Sequence, residues 1–125
     1  LNATIQCLRF VEGFSQMLQS NPLLIQLREL INELNRSNSP VVPGRFVMTL
    51  RQYFPQFAEM KQGRYMQQDA DEFFGAVMGT IAQSRSFDDN FMNLVGIRLE
   101  ETLSCVESPE EPVVRREEDV FKLVC

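Results

Sequence analysis

A chain of 125 residues can bury one modest core, and a hydrophobic content of 44% with ten phenylalanines argues for real packing and against disorder. The net charge of −5 lies wholly in the last segment, because residues 1–99 carry nine acidic and nine basic side chains and residues 100–125 carry eight and three. That distribution argues against nucleic-acid binding, which needs a positive footprint. The absence of histidine, with three widely spaced cysteines, excludes a tetrahedral zinc site and a disulfide framework and removes the usual general base for a nucleophile.

Leu1 to Ser20 reads as a helix, with Ile5, Leu8, Val11, Phe14 and Leu18 at helical spacing and Gly13 as a weak point. Ser20-Asn21-Pro22 is a stop and a restart, with Ser20 or Asn21 as N-cap and Pro22 near the first helical position. A second helix then runs to about Leu34 on a stripe of Leu24, Leu27, Ile31 and Leu34, and the short turn before it predicts antiparallel packing on the first helix. Asn35 to Gly44 is a loop by composition. A third helix from about Arg45 to Phe54 is expected to bury Phe46, Val47, Leu50 and Tyr53 or Phe54, and Pro55 stops it. The aromatic turn Phe54-Pro55-Gln56-Phe57 is expected to pack beneath the segment Gln67 to Phe74.

Gly63 to Phe74 is a polar entry into an apolar helical pattern. Asp69 and Glu72 have the spacing of a capping box, and Phe73, Phe74, Val77, Met78 and Ile81 form one stripe of a helix ending near Ser84. Gln67, Gln68, Asp69 and Asp71 at its mouth read first as caps and solvated polar groups; they are also equipped to hold an extended peptide.

Phe87 to Phe91 is expected to break the chain, after which Val95, Ile97, Leu99, Leu103 and Cys105 alternate with polar residues as in a half-buried strand. Glu101 interrupts that rhythm and suggests a bulge or a strand bend. Val106 to Asp119 reads as an acidic, proline-containing loop, and Val120 to Cys125 as the returning strand. Cys7 is expected as a buried thiol, and Cys105 and Cys125 as core or hairpin residues. The pattern is α+β. No apolar run approaches the roughly 20 residues needed to span a bilayer, and no signal-peptide pattern opens the chain. A soluble intracellular protein, cytoplasmic and with the nucleus as a further compartment, is the expectation, with no membrane partner and no cofactor.

Leu1-Asn2-Ala3-Thr4-Ile5-Gln6-Cys7-Leu8 resembles the segment that follows the nucleophile in the ubiquitin-specific protease family. Gln67-Gln68-Asp69-Ala70-Asp71-Glu72-Phe73 is similar to that family's Gln-Gln-Asp-Ala-x-Glu-Phe/Leu motif. Residues 54–59, 62–70 and 102–108 further resemble its proteasome-associated branch. The resemblance implies the helical thumb of a papain-like cysteine protease over residues 1–86 and the start of a fingers β-hairpin over 87–125, in a single incomplete domain lacking sequence at both ends. It implies a thiol-dependent hydrolase that cleaves after ubiquitin's C-terminal glycine, with ubiquitin, ubiquitinated proteins and the proteasome as partners. By the same register the nucleophile would stand two positions before Leu1 and the histidine beyond Cys125, so no catalytic residue is expected here and the piece alone would be inactive. Gln67, Asp69, Ala70 and Asp71 would grip ubiquitin's extended basic tail, and Asn2 and Gln6 would be structural residues near the nucleophile. A catalytically inactive ubiquitin-binding scaffold of the same fold is the alternative, and a helical interaction domain with an unrelated acidic hairpin is a third reading.

Overall fold

The computed structural model describes residues 1–84, 89–108 and 110–123. The chain divides into two compact units, residues 1–88 and 89–125. Helices dominate the first and an antiparallel hairpin the second, so the α+β expectation holds.

In the first unit the chain runs through α1 (Asn2–Leu8), α2 (Phe14–Met17), α3 (Pro22–Arg36) and α4 (Gly44–Tyr53). A 3₁₀ turn (Pro55–Ala58), the two-residue strands β1 (Met60–Lys61) and β2 (Arg64–Tyr65), and α5 (Ala70–Ala82) complete it. The single opening helix expected from periodicity is in fact two. After α1 the bonds shorten to three-residue steps, Phe10 N–H to Cys7 O and Val11 N–H to Leu8 O, and Gly13 adopts a φ of +83° that only glycine takes at low cost. The apolar spacing is used nonetheless, since Ile5, Leu8, Phe14 and Leu18 are all buried.

Asn21 caps α3 by accepting from the Leu23 N–H at 2.8 Å, with Pro22 in the first turn. This helix buries Leu23, Leu24, Leu27, Leu30 and Ile31, a broader face than the expected stripe, and Leu34 is half-buried. Its main neighbour is α4, with α2 and α5 also against it, whereas α1 packs on α5. The expected packing of the first segment on the second thus holds for its α2 half, whereas the break at Gly13 leaves α1 on α5. Just past the end of α1, Arg9 Nε donates to Asn35 Oδ1 on α3 at 3.1 Å.

Phe46, Phe57 and Phe73 form a chain of edge-to-face rings, with centroids 6.1 Å apart for Phe46–Phe73 and 6.2 Å for Phe57–Phe73. The aromatic turn thus lies beneath the start of α5, as its composition predicted. Gln62 and Gly63 join β1 to β2 with φ of +53° and +74°, the signature of a type I′ hairpin turn that the sequence reading passed over.

The second unit holds α6 (Asp89–Val95), β3 (Ile97–Leu103) and β4 (Val114–Val120). Four expectations are corrected here. Asn90 and Phe91 belong to a helix rather than a break; Phe91 and Met92 are its buried residues, and the Phe91 ring meets Phe121 at 6.0 Å. Val95 ends that helix instead of opening the strand. Pairing from Ile97↔Val120 to Leu103↔Val114 is continuous, so Glu101 sits opposite Arg116 without a bulge. The returning strand runs from Val114 to Val120, so that all but its last residue lies inside the expected acidic loop, and Arg98 pairs with Asp119 across the ladder. Phe87, Asp88, Pro109, Val124 and Cys125 lie outside the described residues.

Cys7 is exposed, contrary to expectation, and Cys105 is exposed too, which leaves of its two expected places the hairpin and not the core. Cys7 falls off the face defined by Ile5 and Leu8, and Cys105 lies beyond the end of β3. No helix among the described residues is long and apolar enough to cross a membrane.

Candidate functional site

The mouth of α5 is set by Asp69, whose extended backbone and carboxylate cap the helix. Its Oδ1 accepts from the Asp71 N–H at 2.6 Å and the Glu72 N–H at 3.2 Å. The return half of the capping box, Glu72 to the Asp69 N–H, is not formed. Asp69 is exposed, and Oδ2 takes no donor from the described residues, so half of this carboxylate faces outward while the other half holds the helix.

Two devices shape the segment leading to Asp69. The Met66 N–H donates to Glu59 O at 3.0 Å, extending the small hairpin, and Gln68 Nε2 donates to Met66 O at 3.1 Å. Thr4 Oγ1 donates to Ala70 O at 3.4 Å and ties α1 to the first turn of α5. The N-terminal segment and the polar helix entry, more than sixty residues apart in sequence, are thereby neighbours.

Between them lies an open cleft of about 540 Å³. Leu1, Asn2 and Ala3, the apolar side chains of Val47, Leu50 and Phe57, Arg51, and the segment Met66 to Ala70 line it. Gln67, Asp69, Ala70 and Asn2 therefore line one cleft. Asp71 does not; it is exposed one residue further into α5, and its own N–H is spent on the cap. Gln6 is also elsewhere, accepting from Arg9 Nη1 at 3.0 Å on a second cleft of about 610 Å³ whose apolar lining includes Ile5, Leu30 and Leu34. Asn2 reaches both.

The sequence reading missed Arg51. Its Nε donates to Phe57 O at 3.2 Å, and its Cζ lies 3.4 Å from the centre of the Tyr65 ring. A lone arginine in the last turn of a helix gives no sign of this, since both partners come from later segments. The cleft thus presents a carboxylate, two glutamines and a guanidinium beside apolar side chains, which suits an extended polypeptide better than a metal or a phosphate. Among the described residues no three His, Cys, Asp or Glu side chains converge as a metal site would require.

With that geometry established, comparison with known proteins gives a consistent answer. The chain is 34% identical over 145 residues to ubiquitin carboxyl-terminal hydrolase 6 of Arabidopsis thaliana, matching 100% of the chain and 30% of that relative. It is 36% identical over 122 residues to ubiquitin carboxyl-terminal hydrolase 6 of Schizosaccharomyces pombe, covering 91% of the chain and 26% of the relative. With ubiquitin carboxyl-terminal hydrolase 14 of Caenorhabditis elegans it shares 32% identity over 89 residues, 70% of the chain and 17% of the relative. The chain thus spans less than a third of the length of these relatives. The family model for ubiquitin carboxyl-terminal hydrolases matches residues 1–120, nearly the whole of it. On that match, and on the two motif-bearing segments that meet across the cleft, the chain belongs to the ubiquitin carboxyl-terminal hydrolase family.

Proposed function

We propose that this chain is the substrate-tail-binding part of a thiol-dependent deubiquitinase, which hydrolyses the peptide or isopeptide bond after the C-terminal glycine of ubiquitin. The observation that carries the reading is the meeting of Leu1-Asn2-Ala3 with Gln67 to Ala70 across one cleft. The first segment adjoins the family's nucleophile position, and the second offers hydrogen-bonding groups to an extended peptide. A tail lying in that cleft would deliver its last carbonyl toward the nucleophile. In such a reaction the cysteine thiolate attacks the glycine carbonyl, the histidine protonates the departing amine, and water then hydrolyses the thioester. Those groups belong to the rest of the protein, so the piece by itself is inactive; its own contribution is to hold and orient the tail. Asp69 Oδ2 accepts from a tail N–H or a tail arginine, Gln67 offers its amide, the Ala70 position keeps the mouth open, and Asp71 attracts the basic tail from outside the cleft.

The resemblance of residues 54–59, 62–70 and 102–108 to the proteasome-associated branch supports the proteasome as a partner, and with it a cytoplasmic and nuclear setting. Co-sedimentation of the full-length protein with purified proteasomes tests that extension.

The cleft itself is tested by Asp69→Asn in the full-length protein. Asparagine caps a helix as well as aspartate does, so the fold should survive while the outward charge is lost. A hydrogen bond to a charged group is worth about 1.5–3 kcal/mol, so KM for a fluorogenic ubiquitin substrate should rise about tenfold or more with an unchanged melting temperature. A variant that melts normally and retains the parent KM would refute the assignment. Retained ubiquitin binding with no turnover in the parent protein would instead point to the scaffold reading.

A further inference from the structure

We infer that Arg51 is a substrate-binding residue of this cleft, one that donates from its outer guanidinium edge to a main-chain carbonyl of the bound ubiquitin tail. The inference rests on the proposed tail-binding role of the cleft and adds a residue on α4, outside both motif-bearing segments, together with a chemical role for it.

Surface arginines are ordinarily mobile, and ordering one costs rotamer entropy. Here that ordering is accomplished in folding. The Tyr65 ring covers one face of the guanidinium at 3.4 Å, and the Phe57 carbonyl engages Nε at 3.2 Å. The side chain is only half-exposed, and its Nη1 and Nη2 groups take no partner among the described residues. A stacked guanidinium can still donate in its own plane, so what remains is a held pair of nitrogens on a residue that lines the cleft.

The choice of acceptor follows from the chemistry of the two sides. An extended peptide presents N–H and C=O groups by turns along its edge. Asp69 and the side-chain oxygens of Gln67 and Gln68 can satisfy N–H groups; for a carbonyl, beside the glutamine amides, Arg51 supplies the one charged donor among the side chains lining this cleft in the described residues. Ubiquitin's tail is basic, so a register that aimed a tail arginine at Arg51 would set like charges together. A main-chain oxygen therefore fits Arg51 where a tail side chain does not, and the same repulsion helps fix which tail residue lies where.

The test uses the full-length protein, a fluorogenic ubiquitin substrate and free ubiquitin, with Arg51→Met, Arg51→Lys and Tyr65→Leu measured beside Asp69→Asn. Arg51→Met should raise KM and the dissociation constant for free ubiquitin about tenfold or more, with kcat within about twofold, because the lost bond is made equally in ground and transition states. Tyr65→Leu, which keeps the guanidinium but frees it, should give a smaller rise. A purely structural Arg51 would instead lower the melting temperature and leave KM in place. If Arg51→Met does not fold, Arg51→Lys decides: a normally melting lysine variant with the parent KM overturns the assignment, since a lone ammonium cannot reproduce a stacked planar fork. A raised KM in Asp69→Asn with a parental KM in Arg51→Met would remove Arg51 and leave the cleft reading standing. Parental values in both would remove the cleft reading itself.

Discussion

Gln62 and Gly63 show how single residues set this site from outside it. Both have positive φ, as a type I′ turn requires, yet glutamine is a poor occupant of its position, where asparagine is favoured. Gln62→Asn is therefore expected to raise stability by a few tenths of a kcal/mol, and Gly63→Ala to lower it by about 1 kcal/mol. Urea unfolding midpoints of the two variants check this. No atom lies within 4 Å of where a Gly63 Cβ would sit, so the cost is one of backbone conformation alone. Legibility divides on the same line. The cap at Asp69 could be read from Asp-x-x-Glu because every participant lies within one turn. Arg51 could not, because its meaning depends on a ring fourteen residues on and a carbonyl six residues on. Cys7 was misjudged for want of a helix phase: thiols are usually buried, but the stripe of Ile5 and Leu8 leaves that side chain on the outer face.

Among the elements, helices with a clear apolar face were readable and the hairpin was only half so. Helix α3 announced itself through Asn21, Pro22 and its leucines, while α6 was hidden because Asp89-Asn90 looked like a turn rather than a helix start. Strand β4 is hidden because Arg115 to Asp119 is an unbroken charged run, two basic residues then three acidic, with no alternation in hydropathy; every one of those residues is exposed. Its register rests partly on Arg98, whose Nε and Nη2 reach the two oxygens of Asp119 at 2.8 and 3.3 Å. That hydrogen bonding, aided by charge, holds the Asp119 carboxyl below the ordinary aspartate range. Because the pKa is lower folded than unfolded, the stabilisation is complete above the unfolded value of about 3.9 and is lost as pH falls through the folded one. Cross-strand NOEs and amide protection in the hairpin should hold steady from neutral pH down to that value and then decline. Comparison with Asp119→Asn isolates this pair from Glu100 and Glu117, which face each other in the same ladder and are expected to repel when ionised.

On the scale of the whole molecule, stability should be unevenly distributed. The first unit encloses a core of leucines, isoleucines and the Phe46–Phe57–Phe73 rings, whereas the strands of the hairpin have no fully buried residue. Two strands alone are marginal in water. Hydrogen exchange should accordingly show α3 and α5 as the slowest amides and β3 and β4 as markedly faster. Comparable protection in the two units would contradict this reading.

The exposure of Cys7 on α1 and of Cys105 after β3 has a practical corollary. Each unit carries a solvent-accessible thiol, so in a full-length protein whose other reactive cysteines are replaced by serine a donor and an acceptor dye could be attached without adding any new attachment point. Energy transfer between them would report the spacing of helices and hairpin directly, and would show whether adding ubiquitin draws the two closer.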